Sequence, residues 1–140
     1  MREILFRGKR IDNGEWIKGF HTIGKFAGKE YYAIERKEPS AYYDNENAIQ
    51  PYDVIPETIG QYTGLTDKNG TKIFEGDIVK IHYDSAIWGN NREVVFEEGQ
   101  WFFKDNAKTQ KSYIGAWGNS VVEVIGNIHD NPELLKELGK

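Results

Sequence analysis

The chain contains no cysteine. That excludes disulfides, thiolate zinc sites and a cysteine nucleophile. At 140 residues it is long enough to bury a modest core without covalent staples, so the reducing cytosol is the expected compartment. Long apolar runs are also missing. The opening MREILFRG has only Ile4-Leu5-Phe6 before Arg7, so no secretory signal is expected there, and no stretch reaches the length of a membrane span. Charge of one sign is not in excess. Eighteen Lys and Arg stand against twenty-two Asp and Glu, for a net charge of −4, which gives no global pull toward nucleic acid. Glycines at 60, 64, 70 and 76 are not followed by Gly-Lys-Ser/Thr, so they make neither a P-loop nor a dinucleotide fingerprint. No internal repeat or low-complexity tract is visible.

Aromatic residues and turn residues are abundant. Eight Tyr, seven Phe and four Trp make up 14% of the chain, which suits cross-strand ring pairs. Fifteen glycines argue for many turns and against long helices. Ile4–Gly8 reads as a strand, and Asn13-Gly14 supplies the pair favoured in a tight hairpin turn. Glu15–Phe20 reads as its partner. A third strand is expected at Glu30–Glu35, after a turn at Ala27-Gly28-Lys29. Residues 36–56 hold Pro39, Pro51, Pro56 and the paired Tyr42-Tyr43, a composition against a central strand or a long helix. A loop of this length is a surface connection, a functional segment or an oligomer contact.

The stretch TIGQYTGLTDKNGTKIFEGDIV, Thr58 to Val79, is the most informative. It reads as a strand at Ile59–Tyr62, a turn at Asp67-Lys68-Asn69-Gly70, a short apolar pair Ile73-Phe74, a second turn at Glu75-Gly76-Asp77, and a strand from Ile78 to Tyr83. Ile78 breaks the alternation of that strand, so one end is expected to be buried on both faces. Ser85–Asn91 reads as a loop. Arg92–Glu97 and Gln100–Lys104 form a hairpin about Glu98-Gly99. Residues 105–118 are polar with rings at Tyr113 and Trp117. Val121–Ile128 is a last strand in which Gly126 suggests a bulge or bend. Asn131 and Pro132 then suit the cap and first position of a short helix carrying Leu134, Leu135 and Leu138, stopped by Gly139.

The segment VIPETIGQYTGLTDKNGTKIFEGDIVK (Val54–Lys80), the opening Arg2–Lys9 with Trp16, and the closing Val124–Leu135 (VIGNIHDNPELL) together resemble the YopX family, small proteins of bacteriophages and integrated prophages. The resemblance spans the chain. It implies a mostly β protein, cytoplasmic in the bacterial host and without an established activity, and it supplies no catalytic residues. The segments 24–47 and 85–120 carry no part of it.

Several constellations invite chemistry. Asp67, Asn69 and Gly70 fit three positions of a calcium loop, but its first and twelfth positions would be Leu65 and Gly76, where carboxylates are required. A hairpin turn explains them instead. His21, His82 and His129 form no closely spaced ligand pair. His82 lies near Asp84 and His129 beside Asp130, and no Ser, Thr or Lys stands out nearby as a nucleophile. Trp101, Phe102, Phe103, Lys104, Lys108, Lys111, Tyr113 and Trp117 combine rings with lysines, the ingredients of a single-strand binding surface. The alternative is that the rings are core and the lysines solvated. The first forty residues are also locally basic, with nine Lys or Arg against six acids.

The sequence therefore predicts a mainly β, single YopX-like domain. Residues 1–57 give N-terminal strands and a Pro/Tyr-rich loop, 58–128 a small bent SH3-like barrel, and 130–139 a short C-terminal helix. No catalytic residue, metal or cofactor is expected. The expected function is a non-enzymatic accessory protein that self-associates and contacts a phage or host protein, away from any membrane. The alternative is a nucleic-acid-binding module with contacts at Lys104, Lys108, Lys111 and Trp117. Asn13, Gly14, Asn69, Gly70 and Gly76 are read as structural turn residues.

Overall fold

The computed structural model describes residues 3–36, 51–83, 86–87, 91–105, 111–113 and 121–135. The chain divides into two compact units, residues 1–62 and 63–140. Both are antiparallel β, as the alternating apolar pattern and frequent turns predict.

The first unit holds β1 (Phe6–Lys9), β2 (Trp16–Phe26), β3 (Lys29–Arg36), β4 (Pro51–Asp53), a 3₁₀ turn at Pro56–Thr58 and the start of β5 (Gly60–Thr66). β2 is flanked by β1 and β3, β4 adds to β3, and the first residues of β5 add to β1. The sheet curls because the chain after β4 returns to β1. Ile11 N–H bonds Asp53 O at 3.0 Å and Ile55 N–H bonds Lys9 O at 2.9 Å. This return passes close to Gly8. A Cβ there would lie 3.1 Å from Val54 Cβ, so glycine leaves room for the Val54 side chain. Val54, Ile17 and Ile34 form the core of the unit, with Phe6, Tyr32, Tyr52 and Ile59 packed around them. β4 was not expected as a strand. Its residues lie in the proline-bearing window, and their pairing with Ala33–Glu35 is a long-range event.

The second unit holds β6 (Lys72–Phe74), β7 (Asp77–Tyr83), β8 (Ala86–Ile87), β9 (Arg92–Glu97), β10 (Gln100–Asp105), β11 (Lys111–Tyr113) and β12 (Val122–Asn127). The sheet order is β11-β10-β9-β7-β12, with β8 beside β7. Its core is Ile73, Val79, Ile81, Val94, Phe103 and Val122. Ile78 and Val79 are both fully buried, so this end of β7 is covered on both faces. The register of β12 shifts between Val124 and Gly126, placing a bulge where the glycine suggests one.

Asp67 organises the turn region. Its carboxylate, only 4% exposed, accepts N–H bonds from Asn69 and Thr71 at 2.9 Å and from Val124 at 2.8 Å. Lys68 N–H adds a bond to Val122 O at 2.9 Å. A turn that looks local in sequence is thus tied to the last strand. Burial pushes the Asp67 carboxyl up, but the backbone N–H groups and nearby Lys68 outweigh it and hold the group below the usual carboxylate range. Asp77, also buried, accepts the Phe74 N–H at 2.7 Å and fixes the next turn.

Two expectations are corrected. The described strands show no ladder joining the sheet ends β11 and β12, so an SH3-like barrel does not form from them. β12 pairs with β7 past its bulge as far as Asn127, where the Asn127 side chain accepts the His129 and Asp130 N–H groups at 2.9 Å and turns the chain. The expected helix is, in its described part, a 3₁₀ turn at Pro132–Leu135. Asn131 opens that turn with its carbonyl, which accepts the Leu134 N–H at 3.0 Å, while its side chain turns back. Its amide packs where a Gly126 Cβ would be, 2.6 Å from that position, and faces the Asn127 N–H at 3.3 Å. Leu134 O, which an α-helix would use four residues on, accepts the Asn91 side chain at 2.7 Å. Residues 136–139 of the expected helix lie outside the described residues.

Replacing Asp67 by Ala removes the acceptor of three part-buried N–H groups, those of Asn69, Thr71 and Val124, and is expected to cost about 3 kcal/mol. Because the folded carboxyl is held low, its stabilisation is complete above the ordinary carboxylate range and is lost as pH falls through the lowered value. Thermal melts from neutral pH into acid check both points. Asp67→Asn should melt lower than the parent at neutral pH and lose less on acidification.

Candidate functional site

In the first unit, the β1–β2 connection builds a rigid corner. Gly14, at φ +73°, donates to Arg10 O at 2.9 Å, and Arg10 N–H donates to Glu15 O at 2.9 Å. Asn13 Oδ1 accepts the Glu15 N–H at 2.9 Å. The corner leaves Ile11 with its backbone held by Asp53 but its side chain 62% exposed. Arg10 grips Asp12 with both prongs, at 2.9 and 2.6 Å, and lies 4.2 Å over the Tyr52 ring. That bond holds the Arg10 guanidinium above, and the Asp12 carboxyl below, their ordinary ranges.

Two hollows meet at this corner and share Ile11 and Asp53 as walls. One, of about 220 Å³, is completed by Asp12 and Tyr52. The other, of about 190 Å³, runs between Tyr31, Tyr32 and Pro56, with Lys29 and Glu30 at its edge. The Tyr32 hydroxyl donates to Glu30 at 3.2 Å, which raises its pKa above the usual phenol range. Each hollow is smaller than the several hundred Å³ usual for a small-molecule site. Each is large enough for one side chain of a partner. Ring faces and an exposed isoleucine beside paired charges suit a protein surface.

A second feature lies on β1 and β2. The pairing of Lys9 with Trp16 and of Arg7 with Lys18 puts these four on one sheet face. The Arg7 guanidinium carbon is 4.6 Å and Lys9 Nζ 5.8 Å from the Trp16 ring centroid. The local excess of basic residues in the first forty positions is the sequence signal for it.

The residues singled out from sequence fall elsewhere. Lys104 is bound to Glu97 at 2.7 Å. Phe102 and Phe103 are 4% and 0% exposed, and Trp101 packs edge-on to Phe96 with centroids 4.8 Å apart. These rings are part of the packing of β9 and β10. Lys111 begins β11, opposite Lys104 in register. Lys108 and Trp117 lie outside the described residues. Gly70 and Gly76 take φ +83° and +90° in their turns, and Asn69 lends its N–H to Asp67. Asp84 lies outside the described residues, and His82 is held by Glu123 on the neighbouring strand, at 2.7 Å. Sequence could not show that pair because it spans 41 residues. Among the described residues no three His, Asp or Glu side chains gather as a metal site, and no helix is long and apolar enough to cross a membrane.

Comparison with known proteins follows the fold. No curated protein matches the chain. The crystal structure of EF1440 from Enterococcus faecalis is similar, with 25% identity, a TM-score of 0.54, and coverage of 97% of this chain and 100% of that one. The crystal structure of yopX from Bacillus subtilis is similar in fold, with 21% identity, a TM-score of 0.57, and coverage of 99% and 100%. The model of the YopX protein family matches residues 5–136, nearly the whole length over which the sequence motifs run, and the chain belongs to that family.

Proposed function

We propose that the chain is a phage- or prophage-encoded accessory protein of the bacterial cytoplasm. It acts without catalysis, through protein–protein contacts, and associates with itself. The observation that carries this reading is where the exposed large apolar side chains lie. Among the described residues six of the eight, Ile4, Ile11, Phe20, Ile23, Tyr31 and Ile55, belong to the first unit. Scattered exposed apolar residues are ordinary, but a concentration on one small unit beside a pair of ring-lined hollows favours a contact surface. The phage and cytoplasmic parts of the reading rest on the family resemblance and on the lack of cysteine. Light scattering after size exclusion, at micromolar concentration, is expected to give a mass above the 16.1 kDa of one chain. A clean monomer would refute self-association.

The second reading, nucleic-acid binding, is favoured by one observation, the cations stacked on Trp16. On this reading a labelled single strand binds the chain with an affinity that falls as salt rises. Trp16→Ala weakens it by about 1–3 kcal/mol if the ring takes a base. Changing Lys104, Lys108 and Lys111 together to Ala distinguishes the segment singled out from sequence: it reduces the salt slope only if those lysines reach phosphates. Fluorescence anisotropy at low and moderate salt gives both answers, and absence of binding at low salt removes this reading.

A further inference from the structure

β2 has eleven residues and β3 eight, while their outer neighbours β1 and β4 have only four and three. β1 pairs with β2 no further than Gly19. Among the described residues nothing pairs with the β2 edge from Phe20 to Phe26. The β2–β3 ribbon therefore extends past the sheet, although two strands alone are marginal in water. Its exposed edge lacks the usual protection. It holds no proline, its register with β3 is unbroken from Gly19 to Phe26, and its one charged residue, Lys25, stands opposite Glu30 in the ladder. Ile23, in the middle of that edge, is 56% exposed.

The geometry also fixes which backbone groups are free. Phe26 and Lys29 close a two-residue turn, Ala27-Gly28, with φ +54° and +79°. In such a hairpin the closing pair is hydrogen-bonded, and bonded and unbonded pairs then alternate. Gly24 and Thr22 thus turn their N–H and C=O groups toward β3, while Lys25, Ile23 and His21 turn theirs outward. The far side of the ribbon agrees. Tyr32, opposite Ile23, gives its carbonyl away from β2, to the Val54 N–H at 3.0 Å.

We propose that the chain dimerises about a two-fold axis at Ile23, the β2 edge of one copy pairing antiparallel with the same edge of a second. The proposal rests on the self-association reading above and names its surface. A second copy is the occupant the edge fits best because the outward set is symmetric. With Ile23 facing Ile23 of the second copy, His21 faces Lys25 and Lys25 faces His21. All three outward residues are then used, in about six hydrogen bonds. Any shifted register leaves some unpaired. The two Ile23 side chains fall on the same face, directly opposite each other, and cover one another from water. The two Lys25 residues are kept apart, each on its own side of the axis. The product is a continuous sheet in the order β3-β2-β2-β3, which gives each ribbon the further strands it lacks and uses one isologous surface.

The test uses the full chain in sedimentation velocity from low to high micromolar concentration. Ile23→Pro removes an outward N–H but no bond to β3, and Ile23→Lys sets two ammonium groups opposite each other. Each is expected to weaken the dimer at least about tenfold, with circular dichroism unchanged. Ile23→Cys creates a single thiol in a chain that has no other. Facing bonded residues lie about 5.5 Å apart at Cα, within disulfide range, so mild oxidation is expected to link Ile23→Cys into covalent dimers while Asn69→Cys stays unlinked. If the proline variant fails to fold, the crosslink decides. A parent chain that stays monomeric overturns both this proposal and self-association. A dimer that survives Ile23→Pro and Ile23→Lys, or an Ile23→Cys that links no faster than Asn69→Cys, overturns the edge pairing and leaves self-association standing.

Discussion

A carboxylate withdrawn from water must be fully hydrogen-bonded or become neutral, and Asp67 meets that demand with backbone N–H groups drawn from two distant parts of the chain. Two of them, from Asn69 and Thr71, make a turn. The third, from Val124, belongs to a strand 57 residues away. The second unit depends on this joint. Val122 and Val124, beside the joint on β12, carry the core of Ile73, Val79, Ile81, Val94 and Phe103 across to the end of the sheet. Asp77 repeats the device on a smaller scale for the β6–β7 turn. Both acids serve as fixed acceptors for backbone N–H groups.

In the first unit the chain after β4 closes tightly onto β1 over the core of Ile17, Ile34 and Val54. Gly8 lets Val54 sit against β1, and the bonds from Ile11 and Ile55 then bring the chain back beside Lys9. That closeness sets Tyr52 under Arg10 and leaves Ile11 at the junction of the two hollows. The same economy leaves β2 and β3 longer than their neighbours. A small curled sheet covers the base of the hairpin and not its tip, so the unit carries exposed apolar residues at Ile23 and Tyr31.

Much of the strand pattern was legible because it is local. Asn13-Gly14, Glu98-Gly99 and Gly126 mark two turns and a bulge by backbone requirements that few other residues meet. The double burial of Ile78 and Val79 was legible from a lapse in alternation. β4, β8 and β11 were not, since strands of two or three residues have no period and exist only through their partners. The described part of the helix expected after Asn131 is a 3₁₀ turn for a related reason. Its cap residue is engaged by the bulge at Gly126, and a leucine carbonyl that should extend the helix is taken by Asn91.

The candidate site divides along the same line. By itself the sequence determined the β class, the family, the turns and the lack of thiol chemistry, all set by residue type and near-neighbour spacing. The excess of basic residues in the first forty positions pointed to the Trp16 face without naming it. Which rings are core and which are surface was decided only by tertiary structure. Phe103 is inside because it packs with Val79, Ile81 and Val94, Phe102 is buried on the opposite face of β10, and Lys104 is paired because the strand beside it carries Glu97. The pairing of Arg10 with Tyr52, of His82 with Glu123, and the open edge of β2 follow from strand register, and register is fixed by contacts between residues far apart in the chain.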